Sequence, residues 1–151
     1  MMTSESFIEN TRNNVIEMVK QGCNDPSVII WGIANEVNDH SATFGSAAAN
    51  AEQLGEIING LGDLVEELDP SRWVGEAQID STKWAQETAG WITADSPIDV
   101  VGFNLYTGWC GNVNGATTEN KTNRLYTALQ SKLKKFQDMY PQTVEKAPVL
   151  L

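Results

Sequence analysis

An amide and a carboxylate, Asn35-Glu36, follow the most apolar short run of the chain, Val28-Ile29-Ile30-Trp31-Gly32-Ile33-Ala34. A run this apolar and β-branched reads as a strand buried on both faces of a parallel sheet. Parallel α/β architectures present reacting groups at the carboxyl ends of their strands, and Asn35 and Glu36 fall at such an end. A Glu there can hand a proton to a leaving oxygen, and an Asn beside it can hold a neighbouring hydroxyl. That is the chemistry of glycosidic bond cleavage. A second carboxylate, Glu76, lies near the end of the short strand-like segment Trp73-Val74-Gly75-Glu76-Ala77. On residue types alone Glu36 and Glu76 are the candidate carboxylate pair. A further strand end carries Asn104 and Tyr106, with Trp109 just beyond it in a Gly-rich loop, where an aromatic face suits the apolar face of a sugar. Asn104 reads equally well as a support for its strand end or as a substrate contact.

The elements that must position these groups alternate along the chain. Ser4 or Ser6 is placed to cap a helix through about Gln21, with Ile8, Val15, Met18 and Val19 inward. Gly22 and Pro26 close it ahead of the strand. Leu54, Ile57, Ile58, Leu61, Leu64, Val65 and Leu68 recur at helical spacing, and Asp69-Pro70 stops them. Strands are expected over 73–77 and 97–106, a short helix over 82–89 and a loop over 109–120. Leu125, Leu129, Leu133 and Phe136 mark a last helix, with Lys132, Lys134 and Lys135 on its far face. Pro148-Val149-Leu150-Leu151 opens another strand. Such alternation predicts a parallel sheet with right-handed crossovers. Starting in a helix and ending in a strand, the chain reads as one cut from a larger domain.

Composition narrows the classes of partner. The 151 residues carry 20 Asp and Glu against 10 Lys and Arg, a formal charge of −10. Such a surface lacks the clustered cations that phosphate backbones require, so no nucleic-acid partner is expected. No apolar run approaches a membrane span, and no signal peptide is visible, so the expected location is cytoplasmic. Two cysteines, Cys23 and Cys110, make neither a disulfide framework nor a zinc set, and Cys23 reads as a small core residue. The single histidine, His40, lies in a polar stretch. Asn120-Lys121-Thr122 is formally a glycosylation sequon and carries no meaning in a cytoplasmic protein.

Four ordered motifs carry a resemblance to glycoside hydrolase family 2, the β-galactosidase and β-glucuronidase group. Asn24-Asp25-Pro26-Ser27-Val28-Ile29-Ile30-Trp31 is similar to that family's N-H-P-S-I-x-x-W segment, with Asp25 in place of the usual His. Gly32-Ile33-Ala34-Asn35-Glu36 resembles its G-x-x-N-E strand. Leu68-Asp69-Pro70-Ser71-Arg72 resembles L-D-P-T-R, and the segment from Asp99 to Trp109 resembles D-V-x-x-x-N-x-Y-x-G-W. Residues 1–151 are thereby expected to be the middle of a catalytic (β/α)8 TIM barrel, from its third helix to the start of its seventh strand.

The resemblance makes Glu36 the general acid/base of a retaining glycosidase and Asn35 a ligand of the sugar 2-hydroxyl. It makes Tyr106 a partner of a nucleophilic Glu that lies beyond Leu151, and Glu76 a structural residue. Gly108-Trp109-Cys110-Gly111 is similar to the G-W-Y-G loop of bacterial β-galactosidases, with Cys110 as a departure. A β-galactoside is therefore the expected substrate, and a β-glucuronidase or β-mannosidase the alternative. No organic cofactor is implied; a divalent cation near the acid/base, which some family members hold, stays open. Without its nucleophile the chain alone is expected to be inactive, an assembly piece or sugar binder at most. Its open strand edges favour self-association or pairing with the missing barrel segments.

Overall fold

The computed structural model describes residues 4–37, 51–79, 95–104, eight positions between 126 and 138 (126, 127, 130, 131, 133, 134, 137 and 138), and 149–150. It opens with helix α1 (Glu5–Gly22). Ser4 caps it, its hydroxyl accepting the Phe7 N–H at 3.3 Å, while Glu5 and Lys20 complement the helix dipole at its two ends. Val15 and Val19 are its buried residues. At Gly22 a Cβ would stand 2.8 Å from the Trp31 ring, so the absence of a side chain lets the indole reach the helix end.

Strand β1 (Ile30–Asn35) starts two residues later than the apolar run implies. The Asp25 carboxylate accepts both the N–H and the hydroxyl of Ser27, at 2.9 and 2.8 Å, forming an Asx turn that delays entry into the sheet. Ile29 is left 73% exposed. The expectation of burial on both faces is also corrected. Trp31 is buried against the helices, but Gly32 is exposed, and a Cβ there would meet nothing within 4 Å.

Helix α2 (Ala51–Leu68) follows, then strands β2 (Trp73–Ile79), β3 (Val100–Asn104) and β4 (Val149–Leu150). All four strands are parallel and lie in the order β1-β2-β3-β4. Sequential parallel order is what right-handed crossovers produce as a barrel wall is laid down. One apolar cluster joins the layers: Val15 and Val19 from α1, the Leu54–Val65 stripe of α2, and Trp31, Val74, Ile98 and Val101 from the sheet side. Cys23 packs against it, as a small core thiol does. The expected strand over 97–106 starts three residues later, at Val100, and is described as far as Asn104. Pro97 and Ile98 are buried outside it, and Pro97 seats against Gly62 of α2, where a Cβ would lie 2.6 Å from its ring.

The described positions between 126 and 138 are helical. Gln130 donates to the Tyr126 hydroxyl at 3.0 Å, and Lys134 pairs with Asp138 at 3.1 Å, each one helical turn apart. The expected helix over 82–89 and loop over 109–120, with His40, Cys110 and the Asn120 sequon, lie outside the described residues. No described helix is long and apolar enough to cross a membrane.

The turn Leu68-Asp69-Pro70-Ser71-Arg72 ties α2 to the start of β1. Asp69 Oδ2 accepts from Trp31 Nε1 at 3.0 Å and from Arg72 Nη1 at 2.6 Å; Oδ1 accepts from Ser71 N at 3.1 Å. Arg72 also donates to the carbonyls of Val28, at 2.8 Å, and Asp25, at 3.2 Å. Its guanidinium carbon stands 5.9 Å from the Trp31 ring centroid. Donation by Ser71, then by Arg72 and Trp31, holds the Asp69 carboxyl well below the usual carboxylate range. One strand over, Asp99 accepts the Val74 N–H through Oδ2 at 2.9 Å and donates its own N–H to the Val74 carbonyl at 2.8 Å, fixing the entry to β3.

Candidate active site

At the opposite, carboxyl ends of the strands stand Asn35, Glu36 and Asn104. Side chains alternate between faces along a strand, so pairing register tells which residues share a face. Gly32 pairs with Gly75, but the next pair is Ala34 with Glu76, which leaves Ile33 as one extra residue in β1. This β-bulge reverses the alternation beyond it. Without it Asn35 would share the face of Trp31, under the helices. With it Asn35 pairs with Ala77 and turns to the face shared by Gly32 and Gly75.

Asn104 reaches the same face from β3. It pairs with Ile79, which lies two residues on from Ala77. The two asparagines meet: Asn104 Nδ2 donates to Asn35 Oδ1 at 2.8 Å. The same nitrogen donates to Glu36 Oε1, also at 2.8 Å. Glu36 has a φ of 51°, the one positive value among the described non-glycine residues, and its N–H donates to the Ala77 carbonyl at 2.8 Å. That left-handed step folds Glu36 back toward Asn104 where an extended residue would carry on along β1. Glu36 is half-buried.

Three of the residues singled out from sequence, Asn35, Glu36 and Asn104, are thus drawn together by direct contacts. Tyr106 and Trp109 lie outside the described residues. Glu76 is not brought to the site. It stands on the other face of β2 with Val74, is 4% exposed, and accepts from Gln78 Nε2 at 2.7 Å. Glu36 and Glu76 therefore form no catalytic pair, and Glu76 belongs to the buried side of the sheet. Gln78, 1% exposed, was not singled out from sequence; only the period-2 pattern of β2 after Val74 pointed to its burial. Among the described residues no group of three or more His, Cys, Asp or Glu is arranged to hold a metal ion.

Residues 2–140 match the family described as glycosyl hydrolases family 2, TIM barrel domain. The chain belongs to glycoside hydrolase family 2. A putative β-glucuronidase of Formosa agariphila is 32% identical over 69 residues, which are 46% of this chain and 8% of that protein. A Bacteroides uniformis β-glucuronidase superposes with a TM-score of 0.68 at 24% identity, over 97% of this chain and 16% of that one. A putative β-galactosidase of Bacteroides fragilis gives a TM-score of 0.56 at 20% identity, over 95% and 16%. At such identities the structural likeness speaks for the fold alone: a partial (β/α)8 barrel whose parallel strands lie in one sheet. The chain spans less than a fifth of the length of these relatives.

Proposed function

We propose that this chain supplies the acid/base half of a retaining β-glycosidase site, with Glu36 as the proton-transfer group. The observation that carries the reading is the convergence of Glu36 and Asn35 on one amide, Asn104 Nδ2, at the carboxyl ends of two barrel strands. In the proposed sequence Glu36 protonates the glycosidic oxygen as the C1–O bond breaks and a second carboxylate bonds to C1. Glu36 then takes a proton from the water that attacks C1, releasing the sugar with retained configuration. Asn35 holds the 2-hydroxyl. Tyr106 orients the second carboxylate, and Trp109 stacks on the sugar. The second carboxylate comes from beyond residues 1–151, so this chain by itself turns nothing over.

A β-galactoside is the proposed substrate, on the likeness of Gly108-Trp109-Cys110-Gly111 to the β-galactosidase loop. A β-glucuronide is the second reading, favoured by the names of the Formosa agariphila and Bacteroides uniformis relatives. Assays of nitrophenyl β-galactoside and β-glucuronide on the complete barrel choose between them by which is cleaved faster. Glu36→Gln should lower turnover of an unactivated phenyl glycoside by about 10²–10⁴-fold. An unchanged rate would remove Glu36 from the mechanism, and clear turnover by the 151-residue chain alone would reject a nucleophile from outside it.

Self-association belongs to the same proposal. Among the described residues β1 pairs only with β2, and Ile29, just before β1, and Trp73, at the start of β2, are exposed by 73% and 59%. Size-exclusion chromatography of the isolated chain should return a dimer or larger species. A monomer at high concentration contradicts this.

A further inference from the structure

We propose that Asn104 is a positioning residue that orients the Glu36 carboxyl group for proton transfer and sets it relative to Asn35. This rests on reading Glu36 as the acid/base. A primary amide nitrogen carries two N–H bonds in one plane, splayed by about 120°. Here the nitrogen lies 2.8 Å from Asn35 Oδ1 and 2.8 Å from Glu36 Oε1, good hydrogen-bond lengths both. One donor group is thereby forked across two adjacent residues of β1's end. Adjacent side chains in a strand point to opposite faces and cannot share a partner. They share one here because of the extra residue at Ile33 and the left-handed φ of 51° at Glu36. The Ala77 carbonyl, accepting the Glu36 N–H at 2.8 Å, ties that backbone step to β2. Three strands therefore set one side-chain geometry.

The consequence for proton transfer follows from donor and acceptor arithmetic. Asn104 Nδ2 can only donate, and it does so to Oε1. The carboxyl group is therefore anchored through one oxygen while it gives up and regains its proton. In the first half-reaction the proton leaves the Glu36 carboxyl for the glycosidic oxygen as C1–O cleaves and the second carboxylate bonds to C1. In the second, the Glu36 carboxylate recovers a proton from the attacking water as the ester bond to C1 breaks. Asn104 donates to Oε1 throughout and loses no proton. The same amide holds the Asn35 side chain, so the proton donor and the proposed 2-hydroxyl ligand are set relative to one another.

The experiment begins with isotope-labelled 151-residue chain, following the two side-chain Nδ2 protons of Asn104 by NMR. Glu36→Ala should move one of them upfield and Asn35→Ala the other, each leaving its neighbour in place. If neither substitution moves its proton, the forked bond is absent and the inference is overturned. The second arm uses the complete barrel and compares Asn104→Ala with wild type on phenyl and dinitrophenyl glycosides. Misplacement of the acid should cost about 10–100-fold more on the phenyl leaving group, which needs protonation, than on dinitrophenolate, which does not. Equal losses on both would mark Asn104 as a mere strand-end support. Asn104→Asp keeps the shape and removes the donors, so it should reproduce the leaving-group split even if the alanine variant folds poorly. Glu36→Gln separates the two failures: unchanged turnover there sinks the glycosidase reading, whereas a flat leaving-group response in the Asn104 variants sinks the positioning inference alone.

Discussion

The amino ends of the parallel strands and their carboxyl ends are built on opposite terms. At the amino ends Asp69, Arg72, Trp31 and Ser71 close on each other, with Arg72 reaching back to the Val28 and Asp25 carbonyls. Asp99 locks the β2–β3 entry in the same region. Each charge there meets donors or acceptors from the protein itself, and the contacts of Trp31, of Arg72 with the two carbonyls and of Asp99 join segments distant in sequence. At the carboxyl ends the backbone is held in a left-handed step at Glu36, and Asn35 is exposed. One end locks the sheet to its helices. The other uses a bulge and an unfavourable φ to bring Asn35, Glu36 and Asn104 together at the rim. Barrel folds separate stability from chemistry in this way, and the contrast can be attacked from either side.

The largest stability effect belongs to the locked end. Trp31 is 4% exposed, sits in the core cluster, donates to Asp69 and packs against Gly22. Trp31→Ala should lower unfolding stability by about 3–5 kcal/mol, read from denaturant midpoints. A loss no greater than that of Glu36→Ala would erase the contrast between the ends.

Titration probes the same contacts more gently. The Asp69 carboxyl is held below the usual carboxylate range in the folded chain, first by Ser71 and then by Arg72 and Trp31. A group whose folded value is lowered contributes its stability above its unfolded value, near 3.8 here, and loses it as pH falls toward the folded value. Asp25 acts in the same sense through the Ser27 N–H. Wild-type denaturant midpoints should therefore be level above about pH 5 and fall below about pH 4. Asp69→Asn should start less stable and fall less steeply over that window. A parallel pair of curves would mean that Asp69 is not the group being titrated.

The locked end was legible as motif and illegible as contact. Asp69, Ser71, Arg72 and Asp99 all stood in segments resembling the family's, yet nothing in their spacing says that Asp69 seeks the indole of Trp31 or that Asp99 takes the place of a strand partner. Those contacts span 38 and 25 residues, and sequence patterning carries only local periodicity. The helices over 5–22 and 51–68 were readable because their apolar faces repeat every turn. The start of β1 was misread by two residues, since Val28 and Ile29 look like strand while the Asp25–Ser27 turn decides otherwise. At the carboxyl end the residue types singled out Asn35 and Glu36 as candidates, and the apolar run located them at a strand end. Their convergence on Asn104 was not readable. It depends on one extra residue at Ile33, and a bulge leaves no mark in a pattern that counts by twos. Glu76 shows the same limit in reverse: its type suited a catalytic pair, and only the register sends it to the far face.

The smallest effect tests whether the carboxyl end gives up stability for geometry at all. Glu36 occupies φ 51°, a region that glycine enters freely and other residues enter at a cost. Glu36→Ala and Glu36→Gly remove the same carboxylate and the same bond to Asn104, so their difference isolates the backbone. Glycine's freedom in the unfolded chain works against it, yet at a left-handed position the relief of strain should exceed that loss, leaving Glu36→Gly more stable than Glu36→Ala by about 1 kcal/mol. Denaturant midpoints of the two variants measure this directly. If alanine proves equal or better, the left-handed step costs nothing, and the bulge at Ile33 with the Ala77 carbonyl alone accounts for how Glu36 is aimed.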